Sequence, residues 1–247
     1  MSCSRALPVL LVSLVLAGTA AAGAGAAAKP PFHDNCGTKA ERARTVVFRA
    51  PGGPRLVGLV LGSGKTGVVL SHELRANLCR WLPFARVLAK SGYRVLAFDF
   101  SGHGSSGLPN RTSGGIDEEV VAAGRLLRGR GVQKLFVVGA SMGGTASIVA
   151  APQLGPQVAG VASLSGPAQF NGLDAAATAP QLAVPSLFVA AEDDAPFADD
   201  ARALFAAVQN PDKALEIVPG SSHGTSLPAG SSAQRVRALL LDFLRNR

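Results

Sequence analysis

The sequence predicts an α/β protein whose mainly parallel sheet of about eight strands is covered by helices on both faces. Short runs rich in Val, Leu and Ala alternate along the chain with helical patterns of about a dozen residues. Such an alternation requires right-handed crossovers between parallel strands. The chain has 247 residues and is 47% hydrophobic, which suits one well-cored domain over residues 29–247. In such a sheet, the functional site lies at the carboxyl ends of the strands.

The first 28 residues predict a secretory signal peptide. Arg5 is followed by a Leu/Val-rich stretch from Ala6 to Leu16, and then by an Ala/Gly tail with several Ala-x-Ala sites. An uncleaved anchor is the alternative, because the uncharged stretch is long enough to span a bilayer. Alanine and glycine partition weakly into lipid, so cleavage is favoured. We therefore expect a secreted or periplasmic location, with no stable membrane insertion after cleavage, and a monomer.

The charge of the sequence indicates which partners to expect, and its cysteines indicate a disulfide. Loss of Arg5 with the signal peptide takes the formal net charge from +8 to +7. The remaining Lys and Arg residues occur singly along the sequence, without aromatic residues between them. This pattern favours solubility and weak attraction to anionic surfaces over nucleic-acid binding. Cys36 and Cys79 are the only cysteines left, and in an exported protein we expect them to form a disulfide.

The N-terminal third of the mature chain begins with a polar arm, residues 29–40, that we expect to pack along the body. Two antiparallel strands, 45–49 and 55–61, follow around a Pro/Gly turn. The next stretch, 61–66, resembles a phosphate-binding loop. That motif needs a glycine where this sequence has Leu59, and a strand follows it instead of a helix. We interpret the stretch as a hairpin turn and expect no nucleotide cofactor.

The other predicted elements follow in alternation. Further strands are predicted over residues 67–70, 93–98, 134–138, 158–164, 186–190 and 214–218. Helices are predicted over residues 80–90, 117–129, 145–151, 198–209 and 232–245. Asp117 can cap the second of these helices. The connection from Ser165 to Pro185 is too short, and its side chains too small, to fold as a cap domain with its own core.

The stretch Gly139-Ala140-Ser141-Met142-Gly143-Gly144 lies between a predicted strand and a predicted helix. A Gly-x-Ser-x-Gly at that junction is typical of a nucleophile elbow, a turn so tight that its serine backbone is strained. Gly139 and Gly143 are required because side chains there would collide. The turn would present the Ser141 hydroxyl and direct the Met142 N–H towards an oxyanion at the helix N-terminus. The alternative is that small residues only let a helix pass close over a strand.

A serine nucleophile needs a base, and the base needs an orienting carboxylate. Glu192, Asp193 and Asp194 follow one later strand, and His223 follows the next. The order Ser, acid, His is the one expected for the nucleophile-elbow fold. His223 lies in a Gly/Ser-rich turn, where a catalytic role is favoured over a structural one.

Five stretches together resemble the α/β-hydrolase superfamily over nearly all of residues 45–247. They are His72 after a strand, Asp99-Phe-Ser-Gly-His-Gly-Ser-Ser106, Gly139-Ala-Ser-Met-Gly-Gly144, Ala191-Glu-Asp-Asp194 and Ser222-His223-Gly224. The resemblance implies an α/β-hydrolase fold without a cap domain. It implies that the Leu74 N–H is the second oxyanion donor beside that of Met142. It also implies structural roles for His72 and His103, and Asp194 as the acid, three residues after the end of a strand.

The sequence departs from this family at Glu73, where a glycine is usual. We expect this carboxylate to face water; pointing inward, it would disfavour anionic substrates. Ala191 also replaces a common glycine, which is a mild change.

The resemblance implies a serine hydrolase acting on carboxylic esters, with no cofactor and no metal, and the predicted signal peptide implies that it is secreted. Ser141 would be the nucleophile, His223 the base and Asp194 the acid. An acyltransferase, a peptidase or a cofactor-free perhydrolase would use the same residues, and a non-catalytic binding module with this fold is a further alternative. The absence of a cap predicts an open, shallow site that prefers short acyl esters and small-molecule substrates.

Overall fold

The computed structural model describes residues 1–2 and 36–247. Eight strands form one sheet, and two more form a separate two-stranded ladder. The strands are β1 (Thr45–Phe48), β2 (Leu56–Leu61), β3 (Thr66–Ser71), β4 (Arg94–Asp99), β5 (Lys134–Ala140), β6 (Val158–Leu164), β7 (Gln169–Phe170), β8 (Leu173–Asp174), β9 (Ser186–Ala191) and β10 (Lys213–Val218). The predicted number of strands in the main sheet is confirmed.

The main sheet has the strand order β1-β2-β4-β3-β5-β6-β9-β10. Strand β2 runs antiparallel to both β1 and β4, and every other neighbouring pair from β4 to β10 is parallel. The central strands β3 and β5 are buried on both faces, which explains their continuous apolar sequences. The predicted mainly parallel sheet is therefore confirmed.

The interpretation of residues 61–66 as a hairpin turn is wrong. Strands β2 and β3 follow one another in sequence but are not neighbours, because β4 lies between them. Leu61, at the end of β2, is paired with Val95 of β4, and Gly67 of β3 is paired with Arg94. The connection therefore crosses over one strand position. Local turn residues gave no sign of this, since the intervening strand comes from a segment about thirty residues further on.

Helices cover both faces of the sheet. They are α1 (Lys39–Arg42), α2 (Leu82–Lys90), α3 (Ile116–Gly129), α4 (Met142–Leu154), α5 (Ala175–Thr178), α6 (Phe197–Ala207) and α7 (Ala233–Arg245). One apolar cluster joins α2 and α7 to the sheet, and a second joins α3, α4 and α6. The sheet is thus the middle of three layers, with a core on each side.

The sequence suggested that Asp117 caps α3, but it does not. The N-cap residue is Gly115, so Asp117 lies in the first turn of the helix. Its buried carboxylate accepts a hydrogen bond from Gln153 Nε2 at 2.7 Å, which ties α3 to α4. A carboxylate in the first turn still interacts favourably with the helix dipole. Its partner is 36 residues away in sequence, so no local pattern predicts the contact.

The described part of the N-terminal arm packs on the body, as expected. Cys36 forms a disulfide with Cys79, with a Cα–Cα distance of 5.7 Å. Arg86 of α2 donates two hydrogen bonds, at 2.7 and 2.9 Å, to the carboxylate of Glu41. The Arg86 guanidinium holds the pKa of Glu41 down to about 2, so this ion pair persists at neutral and mildly acidic pH. Thr38 caps α1 reciprocally with Glu41.

The connection between β6 and β9 forms no cap domain. It contains the short β7–β8 ladder, α5 and a single 3-10 turn at Ala179–Gln181. Ala175, Ala179 and Leu182 are buried in the same apolar cluster as α4. The connection therefore adds to the core of the main body, and the cap-less fold class is confirmed.

Basic residues that are scattered in sequence meet at one edge of the sheet. Four segments lie there: 43–46, 61–66, 89–94 and 128–134, and none of them contains Asp or Glu. They hold seven cations: Arg44, Lys65, Lys90, Arg94, Arg128, Arg130 and Lys134. The Arg94 guanidinium donates to the carbonyls of Ser63 and Arg130, which joins three of these segments. We call this the basic edge; it holds the amino ends of β3, β4 and β5, opposite the edge where these strands end.

Most of the predicted signal peptide, residues 3–28, lies outside the described residues. Over the part of the chain that is described, no helix combines the length and the hydrophobicity that a bilayer span needs.

We predict that replacing both Cys36 and Cys79 by serine lowers the free energy of unfolding by about 2–4 kcal/mol. The disulfide closes a loop over a sequence separation of 43 residues, and its removal enlarges the unfolded ensemble. Urea denaturation of the exported protein and of the double variant measures the difference. Two free thiols in denatured, unreduced wild-type protein, or equal stability of the two proteins, would contradict the prediction.

Candidate active site

The turn between β5 and α4 holds Ser141 in a strained backbone conformation. Its φ is 47° and its ψ is −119°, an uncommon combination for a residue other than glycine. The helix begins at the next residue, Met142, so its first N–H groups have no acceptor within the helix. This is the geometry that the sequence motif predicted for a nucleophile elbow.

Close backbone approach explains the two glycines of the motif. A Cβ atom on Gly139 would overlap the carbonyl of Gly143, inside the turn itself. A Cβ atom on Gly143 would overlap the carbonyls of Ser71 and His72, where β3 ends beside the start of α4. Both collisions are with backbone, which cannot move aside as a flexible side chain can. The prediction that side chains are excluded at both positions is confirmed.

The loops after β9 and β10 bring Asp194 and His223 together. His223 Nδ1 lies 2.9 Å from Asp194 Oδ2 and 3.1 Å from Oδ1. Asp194 is buried, whereas the neighbouring Glu192 and Asp193 are exposed. The Phe197 ring packs on the imidazole, with the ring centroids 4.4 Å apart. Because a carboxylate can only accept, Nδ1 carries the proton of this hydrogen bond, and in the neutral ring Nε2 is then an acceptor.

The histidine loop also lies against the loops that follow β5 and β6. The Gly224 N–H donates to Ser165 Oγ at 3.2 Å. A Cβ atom on Gly224 would lie 3.4 Å from the Cβ atom of Ala140, the residue before Ser141. No hydrogen bond joins the Ser141 hydroxyl to the His223 ring within the described residues. The acid–histidine pair is thus formed, beside the serine but without a direct bond to it.

His72 braces the loop that leads to Leu74. Its Nδ1 donates to the Glu73 carbonyl at 2.7 Å, and its Nε2 accepts from the Phe100 N–H at 3.1 Å. Burial lowers the pKa of His72 to about 4, so the ring is neutral at physiological pH. The His103 ring lies against it, with centroids 5.1 Å apart. These contacts are the structural, loop-shaping ones that the resemblance implied for both histidines.

Glu73 does not face water, contrary to expectation. Its side chain is only 12% exposed, and its Oε1 accepts a hydrogen bond of 2.5 Å from the Thr225 hydroxyl. Arg80 Nε lies 3.5 Å from the same oxygen. The contact connects residues 152 positions apart, so the loop after β3 is tied directly to the histidine loop. The hydroxyl of Thr225, two residues after His223, was the only sequence signal for it.

An open cleft of about 740 Å³ lies beside these loops. Its lining includes Leu74, Arg75, Asn77, Arg80, His103 and His223. It lies on the histidine side of the site and is bounded by the loop that carries the expected oxyanion donor Leu74. Ser141 is not among the residues that line it, and its side chain is buried.

Nowhere in the described part of the chain do three His, Cys, Asp or Glu side chains cluster closely enough to hold a metal ion.

The chain matches a family model described as the alpha/beta hydrolase fold over residues 63–177. The match includes Ser141 and ends before Asp194 and His223. No curated protein matches the sequence. The chain therefore has the α/β-hydrolase fold, and its matched stretch is similar in sequence to the α/β-hydrolase superfamily.

Solved structures with the same fold include proteins that are named as esterases, a lipase and a hydrolase. An esterase of Pyrococcus furiosus superposes with a TM-score of 0.73 at 18% identity, covering 88% of this chain and 98% of that one. A monoacylglycerol lipase of Paleococcus ferrophilus gives 0.67 at 18% identity, with coverage of 78% and 99%. A dienelactone hydrolase of Anabaena variabilis gives 0.65 at 23% identity, with coverage of 82% and 98%.

We predict that Glu73 and Thr225 are energetically coupled. Glu73→Ala and Thr225→Val should each destabilise the protein, and the double variant should lose less than the sum of the two by about 1 kcal/mol or more. The reason is that one hydrogen bond to a charged acceptor is lost in either single variant. Urea denaturation of the four proteins in the cycle measures the coupling.

The control cycle pairs Glu73→Ala with Thr112→Val, whose hydroxyl donates to Gly52 instead. The effects of that pair should be additive. Additive effects of Glu73→Ala and Thr225→Val would show that the hydrogen bond does not stabilise the fold.

Proposed function

We propose that this protein is a serine hydrolase that cleaves carboxylic esters through a Ser-His-Asp acyl-enzyme mechanism. The observation that carries the proposal is the pairing of His223 with the buried Asp194 at 2.9 Å, next to a strained serine elbow. A histidine held by a carboxylate beside a nucleophile elbow has a specific chemical use. It converts a weakly nucleophilic hydroxyl into one that attacks a carbonyl carbon.

The proposed reaction has two steps. The Ser141 hydroxyl attacks the ester carbonyl carbon while His223 Nε2 takes its proton, and Asp194 stabilises the imidazolium. The N–H groups of Met142 and Leu74 hold the oxyanion of the tetrahedral intermediate. The proton then passes to the alcohol as the C–O bond breaks. Water, activated by His223, attacks the resulting acyl-enzyme and releases the acid.

An ester substrate is favoured by the neighbours in fold, which are named as an esterase, a monoacylglycerol lipase and a dienelactone hydrolase. An acyltransferase, a peptidase or a perhydrolase would use the same residues and differ in the nucleophile or acyl group accepted. The open cleft and the lack of a cap support small-molecule esters with short acyl chains. The predicted signal peptide and the Cys36–Cys79 disulfide support an extracytoplasmic location.

We predict that Ser141→Ala lowers kcat for the hydrolysis of 4-nitrophenyl acetate by at least about a thousandfold. The variant should also not be labelled by a fluorophosphonate probe. The fold should remain, because one hydroxyl contributes little to the core. Esterase rates, probe labelling and circular dichroism measure these effects. Wild-type folded protein that is not labelled, or a variant that keeps more than a few per cent of the activity, would contradict the mechanism.

Asp194→Asn and Asp193→Asn form a matched pair within the same experiment. Asp194→Asn should lower kcat far more, since an amide can present the wrong hydrogen-bonding group to His223 Nδ1. Asp193 is exposed, so its substitution should leave the rate nearly unchanged. The opposite ranking would identify Asp193 as the acid.

We predict a preference for short acyl esters and no activation at a lipid surface. A shallow cleft removes few methylene groups from water, and each is worth about 0.8 kcal/mol when buried. A series of 4-nitrophenyl esters from acetate to palmitate, assayed below and above the solubility limit, measures both properties. Rates that rise steadily with chain length, or jump when the substrate forms an interface, would contradict the prediction.

A further inference from the structure

The charged side chains that line the cleft beside His223 are not balanced. Glu73, Arg75 and Arg80 line it. The carboxylate of Glu73 accepts from Thr225 and lies 3.5 Å from Arg80 Nε, so its charge is already offset within the protein. The exposed Arg75 has no ion pair among the described residues. These partners reduce the repulsion that the inward-facing Glu73 carboxylate would otherwise exert on an anionic substrate.

Arg75 lies beside the expected oxyanion donor in the chain and has an uncommon backbone conformation. It directly follows Leu74, the proposed oxyanion donor, and lines the same cavity as His223. Its φ of 61° is in the left-handed region, which residues other than glycine seldom occupy. Such strained positions are concentrated at functional sites, where the surrounding structure holds them.

We infer that this cleft selects esters that carry a carboxylate group, with Arg75 as the residue that binds it. The inference rests on the proposed ester hydrolysis and specifies its substrate class. The planar guanidinium matches a carboxylate with two parallel hydrogen bonds, which gives orientation as well as attraction. Because the cleft is open to water, the contribution of this ion pair is modest. It acts on the selection between esters and not on the chemistry of acyl transfer.

Two matched pairs of esters test the inference, one for each side of the scissile bond. On the acyl side, mono-4-nitrophenyl adipate is compared with 4-nitrophenyl hexanoate. On the alcohol side, 3-carboxyphenyl acetate is compared with phenyl acetate. The measured quantity is the ratio of kcat/KM for the anionic ester to kcat/KM for its neutral partner, corrected for spontaneous hydrolysis.

In at least one pair, Arg75→Gln should lower this ratio by about three- to tenfold, and Arg75→Lys should lower it less because the charge is kept. Added salt should lower the wild-type ratio and have little effect on the ratio of Arg75→Gln. The matched control is Arg44→Gln, which removes the same charge from the basic edge and should leave the ratio unchanged. The pair that responds identifies the side of the ester that carries the carboxylate.

Three outcomes would overturn the inference. They are an unchanged ratio for Arg75→Gln in both pairs, an equal loss in Arg44→Gln, and a full loss in the folded Arg75→Lys variant together with no salt effect. Failure of the proposed function is a different result. In that case wild-type protein would hydrolyse none of the four esters, or Ser141→Ala would hydrolyse them equally well.

Discussion

The candidate site depends on the close approach of two backbones at the carboxyl edge of the sheet. The start of α4 lies directly over the end of β3, so that Gly143 has no room for a side chain beside the carbonyls of Ser71 and His72. The same crowding inside the turn excludes a side chain at Gly139. Ser141 takes a strained φ because the chain must turn from strand to helix within this space. The serine is placed by backbone packing and by backbone hydrogen bonds, such as that from its N–H to the Leu164 carbonyl at 2.8 Å, and not by contacts of its side chain.

The other parts of the site are held to this elbow by contacts between distant loops. Gly224 donates to Ser165, and Thr225 donates to Glu73, so the histidine loop is fixed from two sides. Glu73 in turn contacts Arg80, which follows the disulfide-bonded Cys79. The N-terminal arm thus joins the network through Cys36, at a 3-10 turn that leads into α2. The disulfide therefore lies close in sequence to the loop that carries the expected oxyanion donor Leu74.

The features that depend on a local sequence pattern were predicted correctly. The predictions that were wrong concern residues whose contacts are distant in sequence. Buried parallel strands have continuous apolar runs, and the elbow glycines mark a backbone constraint within five residues, so both were recognisable. Of the three adjacent acidic residues, Asp194 is the one that contacts His223, and its role as the catalytic acid stays a prediction. The order of β2, β4 and β3 depends on a segment about thirty residues further along the chain, the role of Asp117 on a residue 36 positions away, and the inward direction of Glu73 on one 152 positions away. No periodicity or motif encodes such a pairing.

Charged residues are arranged differently at the two ends of the parallel strands, the basic edge and the carboxyl edge. At the basic edge, four segments contribute cations and no carboxylate, so their charges add. At the carboxyl edge, Asp194 is paired with His223 and Glu73 with Arg80 and Thr225, so these two acidic charges are offset within the protein, whereas Glu192 and Asp193 face water. A pair of opposite charges has a short-range field, whereas a single cation in a cleft acts on whatever enters it. The net charge of +8 therefore says little about the site. The charge that a substrate meets depends on which side chains of the cleft are already paired, and in this cleft Arg75 is the cation without an ion pair among the described residues.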